Sequence, residues 1–113
     1  MSENHREHIR VHLNCRVFIE LAAAVGGEPA DIAQCKTLDV SFGGLKVSLG
    51  RELTAGALLQ IGVELPGLED TLYLTGEVKW CRPNNDPETG WAAGFELLNS
   101  GDIDKWRDLL EHV

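Results

Sequence analysis

Hydrophobic and polar residues alternate along most of the chain. Between residues 11 and 21, apolar side chains occupy the odd positions and mostly polar ones the even positions. This period of two is typical of a β-strand with one buried face. Shorter runs of the same kind follow, separated by segments rich in Gly, Pro and Asn, at 32–41, 45–49, 57–65, 71–82 and 91–98. Six short strands at hairpin spacing predict an all-β fold, a small antiparallel β-barrel.

The end of the chain has a different period. Four apolar residues recur there at the spacing of a helix turn: Ile103, Trp106, Leu110 and Val113. This spacing predicts an α-helix over 99–113, packed with its apolar stripe against the barrel. Asn99 or Ser100 can cap its first turn.

The chain of 113 residues has the usual length of one domain. Residues 1–10 are polar and lack an apolar period, which indicates a flexible N-terminal arm. The predicted organisation is therefore an arm over 1–10, a barrel over 11–98 and a helix over 99–113.

Charge narrows the classes of partner. The chain has 18 Asp and Glu residues against 10 Lys and Arg, a formal net charge of −8. An acidic surface argues against binding a nucleic-acid polymer or an anionic membrane, because both require basic surface. The first residues lack a signal peptide's apolar core, and the odd number of cysteines is typical of reduced thiols. We expect a cytoplasmic protein.

No catalytic motif accompanies these patterns. The sequence has no nucleophile elbow, no zinc-protease motif and no phosphate-binding loop. A zinc site from His8, His12 and Cys15 is an alternative, but such spacing is unspecific, and a solvated histidine cluster is the simpler interpretation. We therefore expect neither an enzyme nor a metal site, and no cofactor.

Residues 39–44, Asp-Val-Ser-Phe-Gly-Gly, follow a predicted strand and permit two interpretations. Asp, Ser and Gly all favour turns, so a simple turn is the first. The second is a ligand cradle. Asp39 can accept hydrogen bonds from a guanine's ring N–H and amine, Ser41 lies two positions further along the same face, and Gly44 permits close approach.

Two arginines, Arg6 and Arg10, stand four positions apart just before the first strand. They form either a hydrated charged arm or a pair that grips phosphate and stacks on a purine, since a guanidinium group can do both. Taken together with residues 39–44, they favour a guanine nucleotide that carries at least one phosphate.

These two motifs resemble those of the PilZ domain family, bacterial receptors for cyclic di-GMP. That family pairs R-x-x-x-R in an N-terminal arm with [D/N]-x-S-x-x-G on a barrel, as Arg6–Arg10 and Asp39–Gly44 do here. The resemblance implies that Arg6 and Arg10 hold phosphate and stack on guanine. It also implies that Asp39 and Ser41 read guanine edges.

The resemblance adds three positions near the ligand: His5, Gly43 and Trp80. His5 stands where many members have a further arginine, which influences whether one ligand or an intercalated pair is bound. Trp80 has an equally strong alternative as a core residue on the same strand face as Val78. The implied function is a receptor whose arm is ordered by cyclic di-GMP, changing the surface shown to a protein partner. The alternative is a PilZ-like interaction module that binds no nucleotide.

Overall fold

The structure is a computed structural model that describes residues 15–22, 26, 27, 29, 31–65, 67 and 69–111. The predicted arm, with His5, Arg6 and Arg10, lies outside these residues. The described elements are β1 (Arg16–Ala22), β2 (Asp31–Val40), β3 (Gly44–Leu49), β4 (Leu58–Glu64), β5 (Leu72–Pro83), β6 (Trp91–Leu97) and α1 (Ile103–Glu111).

The six strands form a closed barrel in the order β1-β2-β3-β6-β5-β4, and β1 pairs with β4 to close it. Every neighbouring pair is antiparallel. The predicted six-stranded antiparallel barrel with a C-terminal helix is therefore confirmed. Closure leaves the barrel without free edges, since each strand is hydrogen-bonded to a neighbouring strand on both sides.

Alternating side chains of the strands fill the barrel interior. Val17 and Ile19 of β1 are fully buried, as are Ile61 and Val63 of β4, and all four belong to one apolar core. The intervening residues face outward, which is the two-face pattern that the period of two predicts.

Helix α1 covers one end of the barrel with the predicted apolar stripe. Ile103, Trp106 and Leu110 are all buried in the core, and the fourth predicted stripe residue, Val113, lies outside the described residues. The helix starts at Ile103, later than the sequence suggests, and the residue before it is Asp102 rather than Asn99 or Ser100. Among the described residues, no helix is long and apolar enough to cross a membrane.

Candidate functional site

A β-bulge in β2 turns Asp39 toward the outside of the barrel. Thr37 pairs with Val47, whose side chain is in the core, but the register then skips Leu38, so that Asp39 pairs with Lys46. Without the extra residue, Asp39 would share the inward face of Thr37. A bulge commonly re-aims a side chain in this way.

A second bulge, in β5, has the same effect on Trp80. Val78 is fully buried and pairs with Phe95, the register skips Lys79, and Trp80 pairs with Gly94. Trp80 therefore does not share the inward face of Val78, and its interpretation as a core tryptophan is wrong. Its place on the inward face passes to Cys81, which packs against the core.

The two bulges bring Asp39 and Trp80 into one row of outward residues. Asp39 pairs with Lys46, Lys46 with Gly94, and Gly94 with Trp80, across β2, β3, β6 and β5. A Cβ at Gly94 would overlap the indole of Trp80, so the ring lies directly against this glycine's backbone. Gly94 therefore marks a close approach of a side chain to the backbone within a strand.

Ser41 and Gly44 flank the turn that joins β2 to β3. The backbone N–H of Ser41 donates to the carbonyl of Gly44 at 3.0 Å, and the carbonyl of Gly43 accepts from Leu97 N at 2.9 Å. A Cβ at Gly44 would lie 3.3 Å from the carbonyl oxygen of Phe95 and 3.4 Å from Ser41 Oγ. The residues are thus both a turn and part of a cleft, and glycine at position 44 also serves the packing of β3 on β6.

The row and the turn line a single open cleft of about 190 Å³ on the barrel surface. It contains four of the predicted site residues: Asp39, Ser41, Gly44 and Trp80. Gly43 lies in the turn beside the cleft, exposed. His5, Arg6 and Arg10 are outside the described residues, so their relation to the cleft stays a prediction.

Cationic side chains stand at the cleft although the chain is acidic. The Nζ of Lys46 lies 6.0 Å from the centroid of the Trp80 ring, and the guanidinium carbon of Arg82 lies 4.2 Å from it. The Nζ of Lys79 lies 3.6 Å from Glu77 and 3.5 Å from Glu96. The sequence analysis missed Lys46 and Arg82. Lys46 could have been found only from the pairing of β2 with β3.

Thiol and metal chemistry have little support in the part of the chain that the structure describes. Cys15, Cys35 and Cys81 are free thiols. Burial raises the pKa of Cys35 to about 12, so this thiol stays protonated and unreactive near neutral pH. Within the described ranges, no group of three or more His, Cys, Asp or Glu side chains could hold a metal ion. His8 and His12 lie outside them.

The chain was compared with protein families, curated proteins and solved structures. The PilZ domain family model matches residues 4–113. PilZ domains are non-enzymatic and are typically receptors for cyclic di-GMP, in agreement with the prediction that the chain is not an enzyme. No curated protein matches.

Eight chains of solved structures match this chain, and two of them illustrate the shared fold. One is the inhibitor of motility MotI/DgrA from Bacillus subtilis, with a TM-score of 0.68 and 18% identity over 92% of this chain, which spans only 46% of that protein. The other is the PilZ domain of YcgR from Escherichia coli, solved with cyclic di-GMP. Its TM-score is 0.62 and its identity 17%, over 90% of this chain and 85% of that one. Since the family model extends over nearly the whole chain, this chain belongs to the PilZ domain family.

Proposed function

We propose that the protein is a receptor for cyclic di-GMP and that the ligand lies in the cleft beside the turn at residues 41–44. One observation carries the proposal: two separate bulges turn Asp39 and Trp80 outward and place them in one cleft with Ser41 and Gly44. A simple turn does not require Asp39 and Trp80 to face outward in one cleft. A cleft that reads a base requires a carboxylate and an aromatic surface together.

Asp39 and Ser41 read the guanine in this proposal. The carboxylate accepts hydrogen bonds from the ring N–H and the exocyclic amine, two donors that adenine does not present in this arrangement. Pockets for whole drug-sized ligands start at about 300 Å³, whereas this cleft holds about 190 Å³. The cleft is therefore too small for the whole dinucleotide, and we assign it one guanine, so that the rest of the ligand remains for another part of the chain.

Arg6 and Arg10 supply that other part. Their guanidinium groups hold the phosphates through paired charge-assisted hydrogen bonds and stack on the guanine. Lys46 and Arg82 add positive charge beside Trp80. A concentration of cations of this kind permits an anionic ligand on a chain with a net charge of −8.

In this proposal, ligand binding changes the surface that the protein presents to a partner. Closing of the arm over the cleft alters what is presented to a protein partner, whose identity the chain does not indicate. The free energy for this ordering comes from the ligand's higher affinity for the closed state. The second messenger and the partner are met in the cytoplasm, where we place the protein.

Isothermal titration calorimetry tests the proposal. We expect saturable binding of cyclic di-GMP and no measurable binding of cyclic di-AMP or of the linear GMP dinucleotide, because only the first presents guanine edges and both phosphates in a closed ring. The fitted stoichiometry shows whether His5 permits one ligand or a pair. Absence of binding by calorimetry and by a second method would favour the PilZ-like interaction module instead.

Replacing Asp39 with alanine should weaken binding of cyclic di-GMP by about tenfold to a hundredfold, the equivalent of one or two hydrogen bonds to a charged group. It should also reduce the preference for cyclic di-GMP over cyclic di-AMP, because the base-reading acceptor is lost. The affinity for cyclic di-GMP is measured by direct calorimetric titration, and that for cyclic di-AMP by its competition with cyclic di-GMP at high concentration.

Asp31→Ala is the matched control for Asp39→Ala. Asp31 lies at the opposite end of β2 in an exposed ion pair with Arg51 at 2.9 Å, and its removal changes the net charge equally. Exposed pairs contribute little to stability, so this variant should fold and bind as the wild type does. Equal losses in the two variants would remove the base-reading role from Asp39.

A further inference from the structure

A hydrogen bond joins the C-terminal helix to the turn beside the cleft. Trp106 of α1 is fully buried, and its indole Nε1–H donates to the backbone carbonyl of Ser41 at 3.0 Å. Ser41 directly follows the last residue of β2. The helix thus contacts the backbone of Ser41, a residue that lines the cleft.

The other end of this link is fixed to the barrel. The backbone N–H of Asp102 donates to the carbonyl of Tyr73 at 2.9 Å, and the carboxylate of Asp102 accepts from Tyr73 N at 2.8 Å. This double contact holds the start of α1 on β5. The position of Trp106, and through it that of Ser41, is therefore set by the docking of the helix.

We propose that Trp106 is a positioning residue for the cyclic di-GMP site and that it couples the docking of α1 to ligand binding. This inference rests on the proposed function. The turn is held by Leu97 N on Gly43, by its own Ser41–Gly44 hydrogen bond and by Trp106. When the third anchor is lost, the turn adopts its binding geometry for a smaller fraction of the time, and the apparent affinity falls by that fraction. Linkage makes the effect reciprocal: bound ligand stabilises the docked helix.

Trp106→Phe tests the coupling, because phenylalanine keeps an aromatic ring in the core but has no N–H. We expect its affinity for cyclic di-GMP, measured by calorimetry at 15 °C, to fall roughly three- to tenfold, the equivalent of one net hydrogen bond. Its thermal melting temperature is measured alongside, so that affinity is compared in fully folded protein.

The matched control is Leu110→Ala on the same buried face of α1. It removes apolar contacts and lowers the melting temperature, but Leu110 is one helix turn beyond Trp106 and leaves the indole in place. In folded protein at 15 °C the helix of this variant stays docked and the Trp106–Ser41 hydrogen bond is retained, so we expect reduced stability with unchanged affinity. Equal affinity of Trp106→Phe and wild type overturns the inference, and so does an equal loss of affinity in the two variants.

A measurement on the wild type does not depend on how any variant folds. The three tryptophans, Trp80, Trp91 and Trp106, each give one indole ¹H–¹⁵N resonance, which single substitutions assign. During titration with cyclic di-GMP the Trp106 resonance should move although the ring is buried, whereas that of Trp91 should not. An unmoved Trp106 resonance in ligand-saturated protein overturns the coupling alone. Absence of any wild-type binding overturns the proposed function as well.

Discussion

Replacing Gly101 with alanine should lower the free energy of unfolding by about 3 kcal/mol, the sum of a left-handed backbone and a steric overlap. Gly101 has a φ of +61°, which a residue with a Cβ adopts only at a cost. An added Cβ would also lie 2.5 Å from the carbonyl oxygen of Tyr73. That oxygen accepts from Asp102 N, so the backbone cannot move aside without breaking the bond that docks α1. Urea denaturation followed by circular dichroism measures the loss.

Gly26→Ala separates the two contributions. Gly26 has a similar φ of +54°, but none of the residues that the structure describes comes within 4 Å of the Cβ that the substitution adds. It should lose only about 1 kcal/mol, the penalty of the left-handed conformation. Equal losses in the two variants would mean that the close contact between Gly101 and Tyr73 contributes nothing to stability.

The barrel was predictable because inward and outward side chains alternate along most of its strand residues. In β1, the apolar residues at odd positions, Val17 and Ile19, lie in the core as the alternation predicts. The helix was also predictable from its periodicity, since Ile103, Trp106 and Leu110 lie on one face of it and that face is buried. Periodicity reports which residues face a core, and these elements each face one core.

The bulges could not be predicted from alternation. Around Trp80 the pattern continues the apolar even positions of β5, and only the pairing with β6 shows that Lys79 is an extra residue. Trp80 and Cys81 are both apolar, so either could have occupied the inward position. In β2 the sequence likewise does not distinguish Leu38 as the inserted residue. A bulge is defined by the pairing of two strands, so the sequence of one strand alone does not show which residue is inserted.

The bond between Trp106 and Ser41 was beyond sequence reasoning for a related reason. The two residues are 65 positions apart, and a buried tryptophan requires a partner for its N–H without specifying which carbonyl provides it. The residue types of 39–44 indicate a turn or a cradle, and they specify no partner for the carbonyl of Ser41. Its attachment to the helix depends on the closed barrel, which places the end of β2 beneath α1.

The largest effect on binding is expected from Arg10→Ala, which should weaken binding of cyclic di-GMP by about a hundredfold or more. Arginine makes two charge-assisted hydrogen bonds to one phosphate, each of about 1.5 kcal/mol or more, so losing both corresponds to at least this factor. Alanine offers no substitute donor. The melting temperature should stay within about 2 °C of the wild type, because the sequence predicts a polar arm outside the core. Calorimetry measures the affinity, and circular dichroism measures the melting temperature.

Arg16→Ala is the control for Arg10→Ala, because it removes the same charge six positions along the chain. Arg16 stands on β1 with its side chain 72% exposed, and its guanidinium lies 3.9 Å from Glu64. General attraction of an anionic ligand to positive charge predicts similar losses in both variants, whereas specific phosphate binding predicts a loss for Arg10 alone. Unfolding of Arg10→Ala would instead give that residue a structural role. A loss confined to Arg10 in folded protein would place the phosphate-binding half of the site in the arm, since the cleft of about 190 Å³ is too small for the whole ligand.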